Sequence, residues 1–199
     1  MLSPPPPSPP SSSSPSIIFV DFEALQHGKE KEGDFHLKEL CLVAKDRPCE
    51  PLHMVFKCIT PWDSLSPSRR RTYRYQSNVL HHLDYYEGNR EYCTRCILND
   101  IGEWLSSIGA TTNTTNAAVD VEFFVLGKTK LEYLTSQFPQ LNWKPYTFVN
   151  SYAELHDMTH KNLISCVYRD HATQHCACIK AFRLYIDFMK RCDSLLPLH

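Results

Sequence analysis

Asp21 and Glu23 stand two residues apart at the end of the apolar run Ile17-Ile18-Phe19-Val20, and Cys166, His171 and Cys176 follow one another with four residues between each pair. Alternate residues of a strand point the same way, so the two acids project together. Carboxylates at the end of a buried strand are costly unless they are paired or hold a cation. A purely carboxylate site suits Mg²⁺, whereas thiolate, imidazole and carboxylate donors together suit tetrahedral Zn²⁺. Plainer roles fit the same residues. The strand could end at Val20 with both acids solvated, and Cys176 could be a core thiol with His171 in a polar loop. His175 lies next to Cys176 and four residues from His171, as an alternative ligand or a partner of one.

Other residues could meet a ligand. Arg69, Arg70, Arg71 and Arg74 are interleaved with Tyr73 and Tyr75. Arginine on phosphate with tyrosine under a base makes a single-stranded RNA platform; a solvated loop face accounts for these residues equally well. His81 and His82 could add ligand contacts from the same stretch. Cys93-Thr94-Arg95-Cys96 is a C-x-x-C pair with no second pair to complete a knuckle, and its role is open.

Positioning these residues needs a core, and 199 residues are enough for one domain. The formal charge of -1 does not announce a nucleic-acid binder. Nine scattered cysteines without a signal-like N-terminus point to a reducing compartment, cytoplasmic or nuclear, rather than secretion. No run approaches the roughly 18 apolar residues of a membrane span. Residues 1–15 are almost entirely Pro and Ser and are expected to form a disordered tail, either solubilising or a ligand for an SH3 or WW domain. The folded unit is expected over residues 16–194, with a short tail over 195–199.

Residues 17–22, 36–43 and 52–59 have strand patterns joined by short links, which predicts an antiparallel meander. The stretch from Pro61 to Gly88 is polar and expected to be irregular. Cys93 to Ile108 has helical spacing, Val119 to Leu126 is a strand, and Lys128 to Phe138 a helix. A short strand is expected over Tyr146 to Val149, a helix from Asn150 or Ser151 to His156, and a closing helix over Thr173 to Cys192. The order β-β-β-α-β-α-β-α predicts an α/β fold of the RNase H-like class: a mixed sheet of three antiparallel then two parallel strands, flanked by helices. In that arrangement the last helix starts beside the first strand, so Glu23 can join Cys166, His171 and Cys176 as a fourth zinc ligand.

Asp21-Phe22-Glu23 resembles the first motif of DEDD-type 3'–5' exonucleases. In the stretch where those enzymes carry their second motif, with its metal-binding Asp, this chain has Thr129 and Lys130. His171 matches the histidine of their final motif, but the Asp expected five residues later is Cys176. This pattern is similar to the Maelstrom domain, an RNase H-like domain of the animal piRNA pathway. Its members replace the exonuclease acids with a Glu-His-His-Cys-His-Cys set that partly holds zinc. Glu23, then His81 or His82, then Cys166, His171 and Cys176 match that set; the first His has no partner here.

The resemblance implies a zinc-stabilised domain that binds single-stranded RNA through Arg69, Arg70, Arg71, Arg74, Tyr75, His81 and His82 in small-RNA silencing. It permits RNA endonuclease activity, but no residue is assigned as catalytic. Two-metal cleavage needs carboxylates around two ions about 4 Å apart. A lysine in place of an aspartate opposes a nearby cation by about 4 kcal/mol per unit charge at an effective dielectric near 20. The alternatives are a Mg²⁺-dependent DEDDh-type exonuclease, with Asp21 and Glu23 joined by Asp84, Asp100 or Asp120, and a non-catalytic interaction module.

Overall fold

The computed structural model describes residues 15–26, 35–110, 121–148 and 176–194. Cys166, His171, His175, Asp120, both expected tails and the helix expected near Asn150 to His156 lie outside the described residues.

Six strands make one sheet: β1 (Ser16–Gln26), β2 (Phe35–Ala44), β3 (Arg47–Lys57), β4 (Arg90–Glu91), β5 (Val121–Leu126) and β6 (Trp143–Tyr146). Their spatial order is β4-β3-β2-β1-β5-β6. β1, β2 and β3 pair antiparallel, while β1–β5 and β5–β6 are parallel. The expected mixed sheet of an α/β fold is therefore present, with six strands instead of five. The extra one, β4, adds two residues in parallel to the edge of β3.

Helices cover both faces. On one, Ile97, Ile101, Trp104 and Leu105 of α2 (Thr94–Ser107) and Leu134 of α3 (Lys128–Gln137) pack on Ile18, Val20 and Phe22. On the other, Ala177, Ala181 and Leu184 of the closing helix α4 (Ala177–Ser194) pack on Phe19, Cys41 and Val43. The two-residue alternation of β1 thus feeds two different cores.

The stretch from Pro61 to Gly88 is not irregular throughout. It holds α1 (Pro67–Tyr75), continued by a π-helical turn over Gln76–His81. Ser66 caps α1, its hydroxyl accepting from the Arg69 amide at 3.3 Å, and Pro67 sits in the first turn, where a missing amide costs nothing. Only Tyr73 of α1 is buried, within a third cluster containing Leu25, Cys58, Leu65 and Tyr85. One buried residue in nine gives no readable helical stripe, which is why the sequence pattern concealed this helix.

The chain after α1 is docked by two unusual residues. Register slips between Glu23 and Ala24, leaving Lys38 as the extra residue of a bulge. The fully buried Lys38 ammonium donates to the carbonyls of Asp84 (2.8 Å), Tyr85 (3.2 Å) and Glu87 (2.7 Å). Burial pushes its pKa down, against the pull of the Cys58, Glu87 and Asp84 side chains. Gly88 adopts φ +138° against β3; a Cβ there would lie 2.5 Å from the Lys57 nitrogen and 2.6 Å from the Phe56 carbonyl carbon. Those neighbours are backbone and cannot swing away. Gly88→Ala is expected to destabilise the fold by about 2 kcal/mol or more. A urea unfolding midpoint equal to wild type would contradict this docking.

Candidate functional site

The face of the sheet under α4 changes character along its strands. At one end Phe19 packs with Tyr146, Tyr185 and Phe188. At the other, register sets Asp21 beside Cys41, Cys41 beside His53, and Glu23 beside Glu39. Asp21, Glu23 and Glu39 are all buried, Glu39 completely. The N-terminus of α4 closes over this end with Cys176, Cys178 and Lys180, and Lys180 begins the helical ladder by donating its amide to the Cys176 carbonyl at 3.0 Å.

Two lysines reach the β1 acids. Gly127, at φ +93°, turns the chain from β5 directly into α3, and Lys130 follows in the first turn. Its ammonium donates to Asp21 Oδ1 and to the Phe22 carbonyl (2.6 Å) and lies 3.6 Å from Glu23 Oε1. Lys180, from α4, donates to Glu23 Oε1. Burial alone would depress the Lys130 pKa, but the Asp21 and Glu23 carboxylates outweigh it and hold it above the ordinary lysine value. Two carboxylates therefore meet two ammonium groups from two helices. A cavity of about 230 Å³ opens beside them, lined by Asp21, Leu126, Lys130, Phe148, Lys180 and Arg183.

Glu39 joins the rest of this layer. Its Oε2 accepts the Ala177 amide at 2.9 Å and so caps the start of α4. Its Oε1 lies 2.7 Å from His53 Nε2 and accepts from the Cys176 thiol at 3.5 Å. Next to it, burial and a hydrogen bond with Cys178 push the Cys41 pKa well up, so this thiol stays neutral.

Of the expected zinc ligands, Glu23 and Cys176 both belong to this layer. Glu23 Oε1 is taken by Lys180, and the carboxylate that Cys176 reaches is Glu39. Among the described residues no group of three or more His, Cys, Asp or Glu side chains is disposed to hold a metal ion. Of the acids considered as further nuclease ligands, Asp84 accepts from the Tyr86 amide at 2.9 Å and Asp100 pairs with Arg90. Glu39, His53 and Lys180 escaped the sequence reading. The available signal for Glu39 was its alternation with Cys41 and Val43 along β2.

The expected RNA-facing residues lie mostly on α1. Arg71, Arg74 and Tyr75 are exposed, and Arg69 and Arg70 are half-exposed. The Arg74 guanidinium sits 5.9 Å from the Trp62 ring, and Arg70 lies 3.7 Å from Asp63. Among the described residues, Ile59, Tyr75, Val79 and Tyr86 are the large apolar side chains left open to solvent. His82 is exposed with a left-handed backbone (φ 53°). His81 ends the π turn, and its side chain is not among those described.

No family model matches the chain, and no curated protein matches it. Among the described residues no helix is long and apolar enough to cross a membrane.

Lys130→Met should destabilise the protein by ~3 kcal/mol at neutral pH, the low end for removing one partner of a buried pair. Because the folded protein holds the Lys130 pKa above 10.5, the contribution is complete below that pH and fades as pH rises past it. Urea titrations of wild type and variant at pH 7 and above pH 10.5 should therefore converge at the higher pH. A gap that did not change with pH would overturn the ion-pair account.

Proposed function

We propose that this chain is a zinc-stabilised, RNase H-like domain of the Maelstrom type that binds single-stranded RNA and does not run two-metal phosphodiester hydrolysis. The observation that carries the reading is the pairing of Asp21 with Lys130 and of Glu23 with Lys180. These carboxylates stand midway along β1, just past Val20 where its pairing with β5 ends, and there the exonuclease motif would bind divalent ions. An ammonium about 4 Å from such an ion opposes each unit of its charge by about 4 kcal/mol at an effective dielectric near 20. The sheet order and the covering helices agree with this reading, and the place of the protein would be small-RNA silencing inside the cell.

Zinc would be held by Cys166, His171 and Cys176 with a carboxylate from the sheet. Glu23 is the carboxylate that the resemblance implies; Glu39, 3.5 Å from the Cys176 thiol, is the one its geometry favours. A bound zinc supplies no reaction step; it ties the start of α4 to the sheet and contributes folding free energy. Cys176 is fully buried at the start of α4, which suits a structural rather than an open catalytic position.

RNA would lie across α1. Arg71 and Arg74 supply phosphate contacts, Tyr75 a stacking face, and Arg69, Arg70, His81 and His82 the flanks. The neighbouring Tyr86 and Trp62 are joined by a 2.7 Å hydrogen bond from the Trp62 amide to the tyrosine oxygen. That bond helps to fix an aromatic surface next to the arginines.

Purified protein should carry one zinc per chain by emission spectroscopy, lost in Cys176→Ser, and comparison of Glu23→Gln with Glu39→Gln should identify the carboxylate. Fluorescence anisotropy should show single-stranded RNA binding at low salt. Arg71→Ala with Arg74→Ala should weaken that binding about tenfold and reduce the salt slope by about 1.4. Metal-free protein that trimmed RNA 3' ends only with Mg²⁺ would replace this reading with the exonuclease. Absence of RNA binding at low salt, with capture of an SH3 or WW domain by the Pro-rich segment, would favour the interaction module.

A further inference from the structure

Cys93 and Cys96 take no part in the proposed function, yet among the described residues they are the one pair of thiols near the surface that touch. Cys93 is the N-cap of α2, with extended backbone (φ -147°, ψ 108°). Its sulfur accepts the Cys96 amide at 3.4 Å and the Cys96 thiol at 2.7 Å. Cys96 is exposed and Cys93 partly so, which leaves both within reach of a reagent from solution. Two thiolates on one tetrahedral zinc, at about 2.3 Å each, would stand roughly 3.8 Å apart. The observed contact is about an ångström closer, and a zinc knuckle would need a second ligand pair. Metal binding is therefore the poorer account of these two residues.

The chemistry of the pair is asymmetric. The Cys93 sulfur receives two donors at the positive end of a 14-residue helix. Hydrogen bonds from the Cys96 side chain and amide, with help from Arg95, hold the Cys93 pKa below that of an ordinary thiol. The hydrogen bond to Cys93 holds the Cys96 pKa up. One sulfur is thus poised as a nucleophile, with a protonated resolving thiol against it.

We propose that Cys93 and Cys96 form a reversible dithiol–disulfide couple that exchanges with external disulfides. The Cys93 thiolate attacks one sulfur of a disulfide R–S–S–R', forming a mixed disulfide and releasing R'S⁻. Cys96 then loses its proton to solvent, and its sulfur attacks the Cys93 sulfur and releases RS⁻. Two electrons pass from the pair to the external disulfide, which leaves as RSH and R'SH once protonated. The buried thiols stay out of this exchange. Cys58, for example, is pushed up to about 11 by burial and remains a neutral thiol.

Arg95 lies between the two cysteines, so trypsin cuts between them and the disulfide can be read directly. Whole protein is equilibrated with glutathione buffers of graded ratio, acid-quenched, alkylated, and digested without reduction. The expected product is peptide Glu91–Arg95 linked to the peptide that begins at Cys96, rising as the buffer becomes oxidising and lost on reduction, while Cys41 and Cys58 stay alkylatable after unfolding. In Cys96→Ser, Cys93 should accumulate as its glutathione adduct. In reduced wild type at pH 7, Cys93 should alkylate about tenfold faster than Cys96. Cys96→Ser places a small polar residue in the exposed first turn of α2, and circular dichroism checks that the variant is folded. Absence of the linked peptides at every ratio, or equal alkylation rates for the two thiols, would overturn the proposal.

Discussion

A carboxylate taken out of water must be met by a cation or by hydrogen-bond donors, or else take up a proton, if the fold that buries it is to persist. This constraint organises the α4 side of the sheet, where Asp21, Glu23, Glu39 and Asp187 are all buried. Each has its own answer. Lys130 and Lys180 meet the two β1 acids, and the helix N-terminus and His53 meet Glu39. Asp187 accepts the Tyr146 hydroxyl at 2.9 Å and pairs with Arg191 one turn on at 2.7 Å. The burial and the Asp187 partnership push the Tyr146 pKa well up, so that hydroxyl stays a donor. These contacts pin α4 near its start and again along its length, and the small residues Ala177 and Ala181 between them let it lie close to the strands.

The polar layer also lies where the topology favours a site. β1 and β5 are parallel, so their carboxyl ends open on the same side, and the helix that follows β5 starts there. Acids at that end can serve a metal or be neutralised by side chains from the helices. Lys130 and Lys180 take the second course. The lysines also decide what the adjoining cavity offers: with Arg183 in its wall, it presents three cationic side chains around Asp21.

Much of the architecture was legible because it rests on local pattern. The β-branched and aromatic run of β1, the period of α2 and the glycine after β5 each announce their element. Helix α1 was hidden because its exposed face is arginine and only Tyr73 turns inward, although Ser66-Pro67 is a capping signal. Nothing in the strand pattern of residues 36–43 marks Lys38 as buried, because its burial depends on the bulge. In the candidate site, Asp21, Glu23 and Cys176 were legible as types. Lys130 drew notice only through the exonuclease resemblance, and its contact with Asp21 depends on the β5–α3 turn. The cap from Glu39 to Ala177 joins residues far apart in sequence, and no local pattern encodes such a contact.

Lysine beside the two β1 acids changes what those acids contribute. Asp21 and Glu23 share one face, and like charges that close repel unless cations are held near them. A divalent ion would supply that charge only when bound. Ammonium groups on α3 and α4 supply it permanently, and each ties its own helix to β1. Replacing both lysines with neutral residues would leave two buried, unpaired acids, and one or both would have to take up a proton for the fold to persist. What the acids do in this structure is fasten helices from opposite faces of the sheet to the same strand.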